Sequence, residues 1–206
     1  MSPRLRNTGQ LSAMHKQHFY IVNAVTAYRL VMAPVLVVLV VNNQFNLFRW
    51  LLVVSFFTDA IDGFFSRKYH VDSVFGARLD SLADDLTIAA ALAGALQCYP
   101  AFIKEQLIWI ALLGGLFLLQ ASLALIRYGR MTSFHTRMAK LASIAQGIFF
   151  LLLFFLDYLP YGMFYMAVAI TGIDLAEEII LVLVLPHWKT DVKGLYEVWK
   201  EKKTVQ

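Results

Sequence analysis

The chain has 206 residues, 59% of them hydrophobic and 16% charged, with a mean hydropathy of +0.62, a balance that excludes an ordinary soluble domain and marks a membrane protein. The lone Cys98 excludes an internal disulfide and leaves no CxxC or Cys/His zinc pattern. The net charge of +4 is spread along loops and tails as a topology signal, so no nucleic-acid partner is expected.

Residues 1–18, MSPRLRNTGQLSAMHKQH, are basic and polar and run straight into a full-length apolar segment, without a cleavage-site pattern. They read as a cytoplasmic N-terminal tail; their lack of acidic residues also fits an organelle transit sequence. A membrane crossing takes about 20 apolar residues as helix. Six stretches qualify: residues 19–41, 46–67, 76–98, 106–127, 138–158 and 161–186, which together make a transmembrane domain over 19–186 followed by a basic cytoplasmic tail at 187–206. The breaks NNQFN, YPAFIKE, RYGRMTSFH and DYLPYG, with the basic loop after Arg67, are turn or charge clusters. The expected fold is an all-α, polytopic bundle of six transmembrane helices.

In the first span, Pro34 reads as a simple kink. Arg29 sits about 15 Å into the span by helix rise and requires a partner. Basic residues cluster in the N-tail (Arg4, Arg6, Lys16), the second loop (Arg67, Lys68, Arg78), the fourth loop and the C-tail, while loops one, three and five hold little beyond Arg49 and Lys104. This asymmetry places both termini and loops two and four in the cytoplasm, in an integral membrane protein expected in a bacterial inner membrane.

Spans two and three carry an unusual acidic density. Asp59 and Asp62 are three apart, Asp80 and Asp84 four apart, so each pair shares a helical face. An antiparallel hairpin turning near residues 71 and 72 levels Asp59 with Asp84 and Asp62 with Asp80. Headgroup-solvated or capping charges suffice for Asp72 in the loop and Asp85 on the neighbouring face. Four converging carboxylates repel one another and need pairing or metal. With no His or Cys among them, the donors suit two hard divalent cations, Mg2+ or Mn2+, and two such ions clamp a diphosphate for displacement at phosphorus. Gly63 and Gly76 leave room for a phosphate or nucleotide against the backbone; Arg67 and Lys68 add cationic reach.

The pattern D59-x2-D62-G63-x2-S66-R67-x8-G76-x3-D80-x3-D84 resembles the signature of the CDP-alcohol phosphatidyltransferases, D-x2-D-G-x2-A-R-x8-G-x3-D-x3-D, with seven of eight fixed positions matched and Ser66 in place of alanine. The opening N23-x2-T26-x2-R29-x4-P34 is similar to the first helix of many members. The resemblance implies that Asp59, Asp62, Asp80 and Asp84 hold two metal ions and that Asp84 also accepts the proton of the acceptor hydroxyl. It further implies that Gly63, Ser66, Arg67, Ser73 and Gly76 line the site for the CDP moiety, and that the protein is a homodimer. The substrates so implied are CDP-diacylglycerol and a polar alcohol acceptor, joined with release of CMP.

Lys140, Ser143 and Gln146 in the fifth span resemble the K-x2-T-x2-Q pattern of phosphatidylglycerophosphate and eukaryotic-type cardiolipin synthases. With Arg127, Arg130 and Arg137 nearby, an acceptor phosphate could be held by charge-assisted hydrogen bonds, Arg127, Arg137 and Lys140 being the candidates; plain positive-inside charge is the competing explanation. Ser81 and Asp85 depart from the proline and lysine usual in those synthases. Glycerol 3-phosphate leads as acceptor, and inositol phosphate and other alcohols stay open. Asp174, Glu177 and Glu178 share one face of the last span and are expected to meet Arg29 or an arginine such as Arg127, or else to form a polar dimer seam or water-filled groove.

Rival chemistries fit less well. An intramembrane prenyltransferase needs a larger bundle and different aspartate spacings, and an intramembrane aspartyl protease needs a YD and GxGD pair. A divalent-cation transporter with a carboxylate-lined path gives Gly63, Arg67 and Gly76 no reason for fixed spacing.

Overall fold

A computed structural model describes the backbone of residues 27–69, 74–132, 134, 136–188, 192 and 194–204, with side chains except those of 59–78, 80 and 201–204. Among the described residues there is no strand. The described residues form eight helices in chain order: α1 (Ala27–Val41), α2 (Phe45–Tyr69), α3 (Val74–Cys98), α4 (Pro100–Glu105), α5 (Leu107–Tyr128), α6 (Arg137–Phe155), α7 (Tyr161–Val184) and α8 (Leu195–Thr204). The expected all-helical class is the one observed. Among the described residues, α5 and α6 are the two helices long and apolar enough, by length and composition alone, to cross a membrane. In α7 the obstacle is chemical, since any 18-residue stretch of it contains Asp174, Glu177 and Glu178.

The helices end where local chemistry stops them. Asn43 takes a left-handed φ of 57° between α1 and α2, a conformation asparagine tolerates better than most residues. Pro100 opens α4 at a position where its missing N–H costs nothing. Gly129, with φ 64°, closes α5 and donates its N–H to the Leu125 carbonyl at 2.9 Å.

The chain forms two compact units, Met1–Ala91 and Leu92–Gln206. In the first, buried positions recur at helical spacing: Arg29, Ala33, Leu36 and Val40 in α1, then Phe48, Leu52 and Ser55 in α2. The buried stripe of α3 is made of small residues, Ala83, Thr87, Ala90 and Ala91, which let helix backbones approach closely.

In the second unit α7 is the central element, packed against α5, α6 and α8. One end of its buried stripe is aromatic: Phe164 lies 5.3 Å from Phe102 and 5.4 Å from Phe149, ring centre to ring centre. The other end is polar and reaches α8. The outer face of α5 leaves Ile108 75% and Ile126 84% exposed, with Leu112 and Leu118 also open. A continuous apolar face of this kind is a liability in water and a fit to lipid.

Candidate functional site

α2 is helical through Tyr69 and α3 from Val74, so by backbone register positions 59 and 62 share one face and positions 80 and 84 another. The side chains of Asp59, Asp62, Gly63, Ser66, Arg67, Gly76 and Asp80 lie outside the described residues, as does Ser73 altogether. Among the described residues no group of three or more His, Cys, Asp or Glu could hold a metal ion. The described part of the candidate site is Asp84.

Asp84 is one-third exposed and is ion-paired through Oδ1 with the guanidinium of Arg29, which is 2% exposed. Among the described residues Arg29 is the largest fully buried side chain. Burying an arginine costs several kcal/mol unless a carboxylate meets it, so at this point α1 and α3 are joined by charge. A partner that Arg29 requires is thus a signature aspartate, 55 residues away in the chain. Spacing within one helix holds no signal for such a pair.

Two of the three acidic residues expected to meet arginines, Asp174 and Glu177, have hydrogen bonds to neutral groups. Thr136 ends the loop before α6, fully buried; its hydroxyl accepts from the Ala139 N–H at 2.9 Å and donates to Asp174 Oδ1 at 3.2 Å. One side chain therefore caps α6 and ties it to α7. Nearby, Gln146 donates from Nε2 to the Thr171 hydroxyl at 2.8 Å, while Ser143 turns back on the Ala139 carbonyl. Gln146 of the fifth-span pattern is accordingly engaged between helices.

Glu177 accepts the Leu195 N–H at 2.9 Å through Oε1, placing a carboxylate at the positive N-terminal end of α8. This works because residue 194 is glycine: φ is 143°, and a Cβ there would lie 3.0 Å from Glu177 Oε1. Gly194→Ala is expected to cost ~1–2 kcal/mol and to loosen α8, read as a lower Tm in detergent and faster proteolysis after Leu185. An unchanged Tm and cleavage rate would show that α8 is held without this contact. At the same end, the Tyr128 hydroxyl lies 2.9 Å from the Val182 carbonyl and 2.8 Å from that of Leu185, covering the last turn of α7.

The acceptor candidates occupy this polar end. Arg127 lies in the last turn of α5, Arg137 in the first turn of α6 and Lys140 one turn further, all three exposed. Arg137 reaches Glu197 of α8 at 3.4 Å, and Arg130 sits 5.7 Å above the Trp188 ring. Exposed pairs of this type contribute little to stability.

A family model for the CDP-alcohol phosphatidyltransferases matches residues 19–175. The chain belongs to this family. No solved structure matches it. As a CDP-alcohol phosphatidyltransferase it is a membrane transferase of phospholipid biosynthesis, and all four signature aspartates fall inside the matched region. The family is typically dependent on divalent metal. The donor chemistry here fits such ions, since the four positions supply only carboxylate oxygens.

Proposed function

We propose that this CDP-alcohol phosphatidyltransferase transfers a phosphatidyl group from CDP-diacylglycerol to glycerol 3-phosphate and releases CMP. In this proposal Asp59, Asp62, Asp80 and Asp84 would hold two Mg2+ or Mn2+ ions, which would supply charge neutralisation to the diphosphate and the departing CMP. Arg67 would meet the diphosphate, and Gly63, Ser66, Ser73 and Gly76 would give space and polar contacts to the nucleotide. Asp84 takes the proton of the acceptor hydroxyl; the oxygen left behind bonds to the phosphorus of the diacylglycerol phosphate, and the bond to CMP breaks with its electron pair. Arg127, Arg137 and Lys140 hold the acceptor phosphate.

The observation that carries the reading is the signature itself, Asp59 to Asp84, running along two helices inside the family match. The bundle is taken as six spans, 19–186, with residues 1–18 and 187–206 as cytoplasmic tails, the active site on the cytoplasmic side of a bacterial inner membrane, and the protein as a homodimer.

Purified protein given CDP-diacylglycerol, Mg2+ or Mn2+, and a panel of acceptors should release CMP fastest with glycerol 3-phosphate. Preference for inositol phosphate or phosphatidylglycerol would move the protein to another acceptor within the family. No CMP with any acceptor would overturn the proposal.

A further inference from the structure

We infer that Arg29 is a positioning and charge-balancing residue for the carboxylate site, acting through Asp84 to limit how tightly the acidic cluster holds divalent cations and to favour an anionic diphosphate. The inference rests on the function proposed above.

Three observations carry it. Arg29 comes from α1, outside the Asp59–Asp84 segment, yet its guanidinium reaches Oδ1 of Asp84. It is almost wholly buried, while Asp84 keeps one-third of its side-chain surface open, so the cation backs the carboxylate from the protein interior. Finally, Arg29 continues the buried stripe of Ala33, Leu36 and Val40, where an apolar residue would pack at lower cost. A buried ion pair is weak support for stability compared with an apolar replacement. Its effect is on charge.

The sign follows from counting. Four carboxylates against two divalent ions balance to zero, and Arg29 leaves one positive charge in excess. A guanidinium remains protonated in any protein setting, so this excess is permanent. It weakens the attraction of the cluster for cations, because the ion meets a carboxylate already partly neutralised, and it attracts the negatively charged diphosphate. Without it, the same carboxylates bind metal more tightly and serve the substrate less well.

Three proteins should be compared in detergent: wild type, Arg29→Gln and Arg29→Lys, each by Mn2+ titration followed by electron paramagnetic resonance without substrate, and each by CMP release. Arg29→Gln should lower the Mn2+ Kd by about tenfold while CMP release falls about a hundredfold. Arg29→Lys keeps the charge and should stay within about threefold of the wild-type Kd, with turnover partly restored. Mn2+ affinity falling together with turnover in Arg29→Gln, or left unchanged, would overturn the inference. Loss of the folded state in both variants would also overturn it, by assigning Arg29 to holding α1 in place. Wild type that neither binds Mn2+ nor releases CMP would instead defeat the proposed function, a result separable from the behaviour of the variants.

Discussion

Asp84→Asn is expected to lower CMP release about a thousandfold while Mn2+ and CDP-diacylglycerol affinities change by less than about tenfold. The substitution keeps the size of the side chain and its Oδ1, the atom that Arg29 meets. It removes the ability to take up a proton at neutral pH. Because Asp84 also holds metal in the proposed site, some loss of ground-state binding is expected, and its role as base shows as the much larger loss of turnover. The measurement is turnover at saturating substrate beside direct Mn2+ titration and substrate binding. Equal losses in all three would make Asp84 a ligand and nothing more, and proton transfer would then belong to another group.

The helical frame was legible because each apolar run is long and its breaks are chemically distinct. The fourth expected span, 106–127, differs from α5 by one residue at each end, and Gln106 and Gly129 explain both limits. The expected 161–186 likewise coincides with α7 to within two residues at its C-terminal end. α8 was hidden: five lysines between 187 and 206 made that segment read as a basic tail. Its signal was smaller, a glycine followed by Leu195 and Val198 at helical spacing, and the fixed point, Glu177, lies a whole segment earlier.

The shared helical faces of the aspartates were legible in the sequence, and the partners of buried charges were not. Aspartates three and four apart announce shared helical faces, and no tertiary information is needed for that. The pairs Arg29–Asp84 and Thr136–Asp174 join helices across 55 and 38 residues. Their existence could be inferred from the cost of burying a charge, as it was for Arg29. Their identity depends on which faces meet, and that is decided by packing. For Asp174 and Glu177 the expectation of arginine partners overlooked neutral ones: a threonine hydroxyl and a backbone N–H, respectively. Both are cheaper to bury than a second charge.

Removal of divalent metal should abolish activity, and the choice of metal that restores it tests the donor set. With EDTA in excess, CMP release is expected to fall by at least about a thousandfold, a drop that follows from four carboxylates left facing a diphosphate of the same sign. Mg2+ or Mn2+ should restore it, since both favour all-oxygen sites and bind diphosphate oxygens. Ca2+ should restore much less, because its longer bonds and looser geometry space the ligands differently. Asp59→Ala, which removes one donor from α2, should raise the Mn2+ concentration needed for half-maximal activity by about tenfold or more, whereas a variant of an exposed residue on the outer face of α5, such as Leu118→Ala, should leave it unchanged. Activity that survives chelation, or an Asp59→Ala protein with the metal requirement of wild type, would show that these carboxylates serve some purpose other than holding cations.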